Sequence, residues 1–155
     1  MTITDIVDVT VRLLAATGAG IAIGTNRELR GKPTGVRTLG IVALGSALIM
    51  IAAPRFAPAA ISGALQGILT GVGFIGAGVI LRDAKGGEIQ GLTTAATVWL
   101  TAAIGIVCGL GDWVLSFLGV TIALLLLVLG LPFEQWLRRR VGRRELDHGD
   151  DDAHT

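Results

Sequence analysis

The sequence predicts an all-α integral membrane protein with five membrane-spanning helices. Hydrophobic residues make up 52% of the 155 residues and charged residues only 16%, which is too apolar for an ordinary soluble domain. The apolar residues form blocks of about twenty, the length that a helix needs to cross a bilayer. Short segments rich in glycine, proline and charge separate these blocks. The lipid bilayer is therefore the expected environment of most of the chain.

The five predicted spans follow one another through short connections. They cover residues 6–24, 38–53, 59–81, 92–108 and 113–131. The second span is short, so we expect flanking residues to extend it or the bilayer to thin around it. The fifth span is rich in leucine and valine without a stripe of small residues, and we expect it to face lipid most. Residues 1–132 then form one transmembrane domain, and residues 133–155 form a charged tail that we expect to be disordered.

Positive charges lie in alternate connections between the spans. Of the 13 lysines and arginines, four lie in the first loop, two in the third loop and five after the last span. With five spans, these three segments share one side of the membrane. The positive-inside rule makes that side cytoplasmic, with the N-terminus outside and the C-terminus in the cytoplasm.

Small residues recur every fourth position on the third and fourth spans. Such spacing puts them on one helix face, where small side chains let two helices approach closely. We expect these faces to press against each other or against a second subunit, which makes a homo-oligomer the expected state. The alternative is an ion or substrate path lined by an unwound glycine segment and by threonine hydroxyls. The residues of the packing surface or path are Gly63, Gly67, Gly71, Gly73, Gly76, Gly78, Thr93, Thr94, Thr97 and Thr101.

Two polar groups stand out near the membrane boundaries. The first loop carries a predicted cytoplasmic polar site made of Arg27, Glu28, Gly35, Arg37 and Thr38. It could bind lipid head groups, a nucleotide or a soluble partner, or its charges could act only as orientation signals.

The second group lies within the first span. Asp8 and Arg12 are four residues apart, so we expect them to form an ion pair at the membrane boundary.

The spans lack the residue groups that enzymes and metal sites need. They contain no carboxylate pair, no nucleophile–base pair and no cluster with metal-ligand spacing, and the histidines lie only in the tail. Residues 71–76 match G-x-G-x-x-G, but a dinucleotide site needs a preceding strand that an apolar span does not supply. We expect no catalysis, no cofactor, no metal site and no nucleic-acid partner. A conventional Mg²⁺ carrier is also disfavoured, because Mg²⁺ prefers carboxylate oxygen.

Three motifs resemble one family of bacterial membrane proteins. Arg27-Glu28 with Gly31-Lys-Pro-Thr-Gly-Val-Arg-Thr38 is similar to the first cytoplasmic loop of the MgtC/SapB family. The segments 71–82 (GVGFIGAGVILR) and 91–105 (GLTTAATVWLTAAIG) are similar to its third and fourth helices, and the resemblance covers residues 8–130. The resemblance implies a multi-pass protein of the bacterial inner membrane that is tied to growth at low magnesium. It implies a regulator more than a carrier, with the proton-translocating ATP synthase or a small membrane peptide as partner.

The sequence also departs from that family pattern. Many members carry Asp and Arg just before the glycine motif of the third helix, where this chain reads Pro58-Ala-Ala-Ile-Ser-Gly63. The common histidine of the first loop is Leu39 here, and a charged tail stands where some members have a soluble C-terminal domain. The resemblance is therefore to a short form.

The function predicted from the residues and the resemblance together is non-enzymatic. We expect a membrane protein that modulates magnesium homeostasis or membrane energetics through helix–helix contact with another membrane protein. The alternative is a small Mg²⁺ transporter or channel.

Overall fold

The computed structural model describes residues 2–57, 59–83 and 91–149, and within these residues it is all-helical apart from turns. Five helices follow one another, and a 3₁₀ turn, Ala53–Arg55, extends the second. The helices are α1 Ile3–Leu29, α2 Val36–Ala52, α3 Ala60–Asp83, α4 Leu92–Leu110 and α5 Trp113–Gly149. Each contains an apolar segment of 18 to 27 residues that is long enough to cross a membrane. The predicted fold class is confirmed.

The first helix is longer at both ends than the sequence predicts. At its start, Thr2 and Asp5 form a capping box, in which the Thr2 amide donates to the Asp5 carboxylate at 2.8 Å. At its end the helix passes residue 24 and reaches Leu29, and Gly31 follows with a φ of 62°. That left-handed conformation favours glycine and ends the helix. Arg27 and Glu28 are therefore helical rather than part of a loop.

The second span reaches bilayer length as expected. The 17 residues of α2 and the 3₁₀ turn form one apolar segment of 20 residues, Val36–Arg55. Flanking residues thus extend a short helix.

Gly71–Gly78 lies in the middle of α3 and is regular α-helix. The unwound segment that the path alternative requires does not occur there, because the helical hydrogen-bond pattern runs from Ala60 to Asp83 without a break.

The last helix continues through Pro132 to Gly149, beyond the end at residue 131 that the sequence indicates. A proline removes one main-chain hydrogen bond, and the residues that follow are mostly leucine, arginine and glutamate, which favour helix. Residues 150–155 lie outside the described residues. Residues 133–149, which the sequence assigns to a disordered tail, are helical, and disorder stays a prediction only for residues 150–155.

The helix α4 occupies the centre of the bundle and contacts all four other helices. Of its apolar segment 56% is buried in the chain, against 11% for the apolar segment of α5, the lowest of the five. The fifth helix is therefore the one that leaves most surface for lipid, as its sequence indicates. The helices α1, α2 and α4 pack against one another, whereas α3 leans mainly on α4, and α5 on α4 and α1.

Glycines on α1 and α4 allow both helices to approach α2 very closely. A Cβ built on Gly24 of α1 would lie 2.6 Å from the Cα of Val36, and one on Gly109 of α4 would lie 2.9 Å from the carbonyl oxygen of Ala47. Because the obstacles are main-chain atoms, no side-chain rotation could relieve them. The small-residue stripe of α4 therefore packs inside the chain, against α2.

Candidate functional site

The glycine stripe of α3 faces away from the rest of the chain. Gly63, Gly67, Gly71 and Gly78 share one helix face, and a Cβ added at any of them meets nothing within 4 Å. The Phe74 ring lies on the same face and is 83% exposed. We call this surface, formed by Gly63, Gly67, Gly71, Phe74 and Gly78, the open α3 face. Gly73 is also exposed but lies off this stripe.

The opposite face of α3 makes its contact with α4. Ile68 and Val72 are buried there, and a Cβ on Gly76 would lie 3.4 Å from the Cβ of Ala95. The helix α3 thus has two surfaces of small residues, and only one of them packs against another helix of the described residues. The surface at Gly76 is used within the chain, whereas the open α3 face has no partner among the described residues.

The threonines of α4 use their hydroxyls within their own helix. Thr97 donates to the Thr93 carbonyl at 2.6 Å, and Thr101 donates to the Thr97 carbonyl at 2.8 Å. Both donors are buried, while Thr93 itself is exposed. Their hydrogens are therefore committed to the helix backbone, the arrangement that the packing interpretation expects.

Arg27 lies inside the bundle at the end where α1 finishes and α2 and α4 begin, which we call the basic end. Its side chain is only 4% exposed, and its Nη2 donates to the hydroxyl oxygen of Thr94. Its Nε has no hydrogen-bond partner among the described residues. Arg30, the C-cap residue of α1, donates to the Val128 carbonyl of α5 at 3.3 Å. The basic end thus joins α1 to both α4 and α5.

The other members of the predicted cytoplasmic polar site do not gather around Arg27. Glu28 accepts a hydrogen bond of 3.1 Å from the Val36 amide and so caps α2, whose own N-cap residue, Gly35, has no side chain. A Cβ on Gly35 would lie 2.6 Å from the Glu28 Oε2, so only glycine fits here without a shift of that carboxylate. Arg37 and Thr38 are exposed. The five predicted residues therefore do not form one site: Arg27 is buried, Glu28 caps α2 beside Gly35, and the last two residues lie at the surface.

Asp8 and Arg12 meet as expected, at the opposite end of the bundle. The Arg12 Nε lies 2.9 Å from the Asp8 Oδ2, without the alignment of a hydrogen bond. The Arg12 Nη1 also donates to the Gly109 carbonyl at 3.1 Å, a contact that the sequence does not predict. That carbonyl belongs to the last turn of α4, which carries unpaired carbonyl groups and partial negative charge. Arg12 therefore closes the C-terminus of α4.

A shallow cleft of about 210 Å³ lies beside this contact. Its lining residues are Asp8, Val9, Arg12, Met50, Ile51, Pro54, Gly109 and Leu110. The charged residues that line the cleft are Asp8 and Arg12. They form an ion pair, and Arg12 also binds the end of α4, so both charges stabilise the fold.

The described residues contain no group of three or more histidine, cysteine, aspartate or glutamate side chains that could hold a metal ion. Cys108 is buried among apolar side chains, with 1% of its surface exposed.

Comparison with known proteins gives the family. The model of the MgtC family matches residues 13–136, which include most of α1, all of α2, α3 and α4, and the apolar segment of α5. The chain belongs to the MgtC family. Protein SrpB of Synechococcus elongatus is 43% identical over 136 residues, which cover 79% of this chain and 75% of SrpB.

Two further relatives are longer than this MgtC family chain. Protein MgtC of Salmonella typhimurium is 41% identical over 103 residues, which cover 66% of this chain and 44% of that protein. "Putative magnesium transporter YhiD" of Escherichia coli K12 is 43% identical over 129 residues, which cover 76% of this chain and 58% of YhiD. The chain thus spans about half the length of these two relatives. No solved structure matches it.

Proposed function

We propose that this MgtC family protein is a non-enzymatic protein of the bacterial inner membrane that acts through helix–helix contact with another membrane protein. The open α3 face is the contact surface, and the effect of the contact is on magnesium homeostasis or membrane energetics. The observation that carries the proposal is the unpartnered stripe Gly63, Gly67, Gly71 and Gly78, beside the exposed ring of Phe74.

The chemistry of this face suits another helix better than lipid. In a bilayer, apolar side chains gain little by leaving lipid, so helices associate through close packing, which small residues permit. Gly20 and Gly24 of α1 are four residues apart, as are Gly105 and Gly109 of α4, and both pairs place their helix in main-chain contact with α2. The open α3 face can accept a helix in the same way, with Phe74 packed beside it.

The family resemblance suggests the partners. It points to the proton-translocating ATP synthase and to small membrane peptides, whose helices could lie along α3. A second copy of the chain could occupy the same face, and the mass of a cross-linked product distinguishes a homodimer from a complex with another protein. The magnesium part of the proposal is supported by the name of YhiD.

Site-specific photo-cross-linking in living cells tests the contact. A benzophenone amino acid replaces Phe74 on the open α3 face, and the matched control carries it at Phe117 of α5, which is 72% exposed. We expect a discrete protein adduct from position 74 and none from position 117. No adduct at position 74, or equal adducts at both, would contradict the proposal.

The alternative function is a small Mg²⁺ transporter or channel, which the name of YhiD favours. Three features of the described residues weigh against it: the absence of a carboxylate cluster, the regular helix at Gly71–Gly78 and the inward hydrogen bonds of Thr97 and Thr101. Its test is Mg²⁺ uptake into proteoliposomes with a magnesium-sensitive dye. Saturable uptake that Thr97→Val alters would establish the transporter, and flat traces from folded protein would leave the contact function.

We also propose that the basic end faces the cytoplasm. Arg27 and Arg30 meet the start of α4 and the Val128 turn of α5 there, while Arg12 meets the end of α4 at the other end. Arg30, Lys32 and Arg37 add further positive charge to the basic end, which the positive-inside rule assigns to the cytoplasm.

A further inference from the structure

Arg27 carries a buried positive charge with too few partners. A guanidinium has five N–H donors, yet the partner that it has in the structure is one neutral hydroxyl, that of Thr94. The side chain is 4% exposed, and its Nε has no partner among the described residues. A buried charge is costly unless an opposite charge accompanies it.

The surroundings of Arg27 add positive potential instead of compensating it. Thr94 lies in the first turn of α4, and the N-terminus of a helix carries partial positive charge. The N-cap residue of α4 is Gly91, so no side chain caps this helix, and its first turn contains no acidic residue. The start of α2, at Val36, lies at the same end of the bundle.

Glu28 and Asp8 do not neutralise this region. Glu28 is next to Arg27 in sequence, but its Oε2 accepts from the Val36 amide. The ion pair that the described residues form, Asp8 with Arg12, lies at the opposite end. At the basic end, the buried guanidinium of Arg27, whose Nε has no partner among the described residues, therefore lies beside the uncapped N-terminus of α4.

We infer that Arg27 and the first turn of α4 bind one phosphate group, supplied by the head group of an anionic phospholipid or by free phosphate. A guanidinium and the amides of a helix N-terminus are both suited to phosphate oxygens. Phosphate accepts several hydrogen bonds at once, which matches the unused Arg27 Nε and the uncapped start of α4. The site is independent of the open α3 face, so each can fail without the other.

Thermal unfolding of the purified full-length chain in a non-ionic detergent measures this binding. A ligand that binds only the folded state raises the melting temperature with its concentration. The two probes are sodium phosphate and phosphatidylglycerol, compared with sodium chloride at equal ionic strength and with phosphatidylcholine. We expect a saturable rise with at least one probe. A rise with phosphate alone indicates a free-phosphate site, and a rise with phosphatidylglycerol alone indicates a lipid site.

Arg27→Gln removes the charge and keeps an amide donor for Thr94. We expect the apparent affinity for the active probe to fall about tenfold or more, because a charge-assisted hydrogen bond is lost. The matched control is Lys32→Gln, which removes one positive charge from an exposed position at the same end. It should change the affinity by less than about twofold, as expected for a screened surface charge. If Arg27→Gln does not fold, Arg27→Lys keeps the charge, loses the planar fork and should bind more weakly than wild type.

The wild-type protein alone can overturn the inference. If neither probe raises its melting temperature above the matched control, no phosphate site exists. Equal responses of wild type and Arg27→Gln would also overturn it. The side chain of Asp83, the last residue of α3, and the whole of Glu88 lie outside the described part of the chain. Asp83→Asn and Glu88→Gln therefore test the two remaining rivals. For either variant, a loss of stability equal to that of Arg27→Gln, with no response of the wild type to either probe, would assign the counter-charge to that carboxylate and refute the phosphate site.

Discussion

The guanidinium of Arg12 on α1 binds the main chain of Gly109 in the last turn of α4. The Arg12 Nη1 donates to the Gly109 carbonyl at 3.1 Å, across 97 residues of sequence. The contact also helps to explain why residue 111, in the turn after α4, is a glycine. Its φ is 80°, which favours glycine, and a Cβ there would lie 2.7 Å from the Arg12 Cζ. Arg12 thus lies over a glycine turn and closes the last turn of α4.

We predict that Arg12→Gln destabilises the fold by about 1–3 kcal/mol, because it removes a charged hydrogen bond at a helix C-terminus. Thermal unfolding in detergent measures the loss. The control is Asp8→Asn, which removes the ion pair but leaves the Gly109 contact. Because the Asp8 side chain is 49% exposed, that change should cost about 1 kcal/mol or less. Equal losses for the two variants would show that the ion pair, and not the contact with α4, is what stabilises this end.

We predict that a glycine-to-alanine substitution lowers the stability of the fold on the α4 stripe but not on the α3 stripe. Gly105→Ala places a methyl group against the Ala43 main chain of α2 and should destabilise by about 1–3 kcal/mol. Gly67→Ala meets no atom within 4 Å and should be neutral or stabilising by about 0.5–1 kcal/mol, because alanine favours helix. Thermal unfolding of both variants in detergent is the measurement. A large loss for Gly67→Ala would show that the α3 stripe is packed within the chain.

We predict that two threonines of α4, Thr94 and Thr97, contribute differently to the stability of the fold. Thr94→Val removes the hydroxyl that accepts from Arg27 and should destabilise by about 1–3 kcal/mol, since the buried guanidinium loses its partner. Thr97→Val lies one turn further on, where the hydroxyl bonds within its own helix, and should cost less than about 1 kcal/mol. Unfolding curves of the two variants give the comparison. A ranking in the reverse order would mean that the Arg27–Thr94 contact contributes little.

Much of the fold follows from hydropathy and local signals. Five apolar blocks of bilayer length predict the five helices. Asp112 directly precedes α5 and is a residue type that favours the N-cap position, and its carboxylate accepts from the Leu115 amide at 2.9 Å. The leucine-rich fifth helix has the least buried apolar segment. These features depend on a few neighbouring residues, and so the sequence contains the information needed to predict them.

The position of Arg27 is harder to predict, because charges after an apolar block normally indicate a loop. A signal is nevertheless present. Ala16, Gly20 and Gly24 repeat every four residues, and Arg27 continues their face three residues later. The contact of Arg12 with Gly109 has no such local signal, since its partners are distant in sequence and one of them is a main-chain carbonyl.

The partners of the small-residue stripes also cannot be read from the sequence. The stripes of α3 and α4 have the same spacing, and that spacing shows only that a close neighbour can be accepted. The tertiary structure assigns α2 to Gly105 and Gly109, and it leaves Gly63, Gly67 and Gly71 open. The difference depends on how the helices pack, which composition and period do not encode.

The most direct test of the contact function is photo-cross-linking from position 74 in a protein that carries Gly67→Leu. A Cβ at this position meets nothing within 4 Å, so leucine can extend over the open α3 face. We predict that Gly67→Leu leaves the melting temperature unchanged and abolishes the adduct that the protein with Gly67 gives. The adduct should persist with Ala96→Leu, a change at an exposed position on α4. An undiminished adduct with Gly67→Leu, in protein that remains folded, would contradict the claim that this face binds a partner helix.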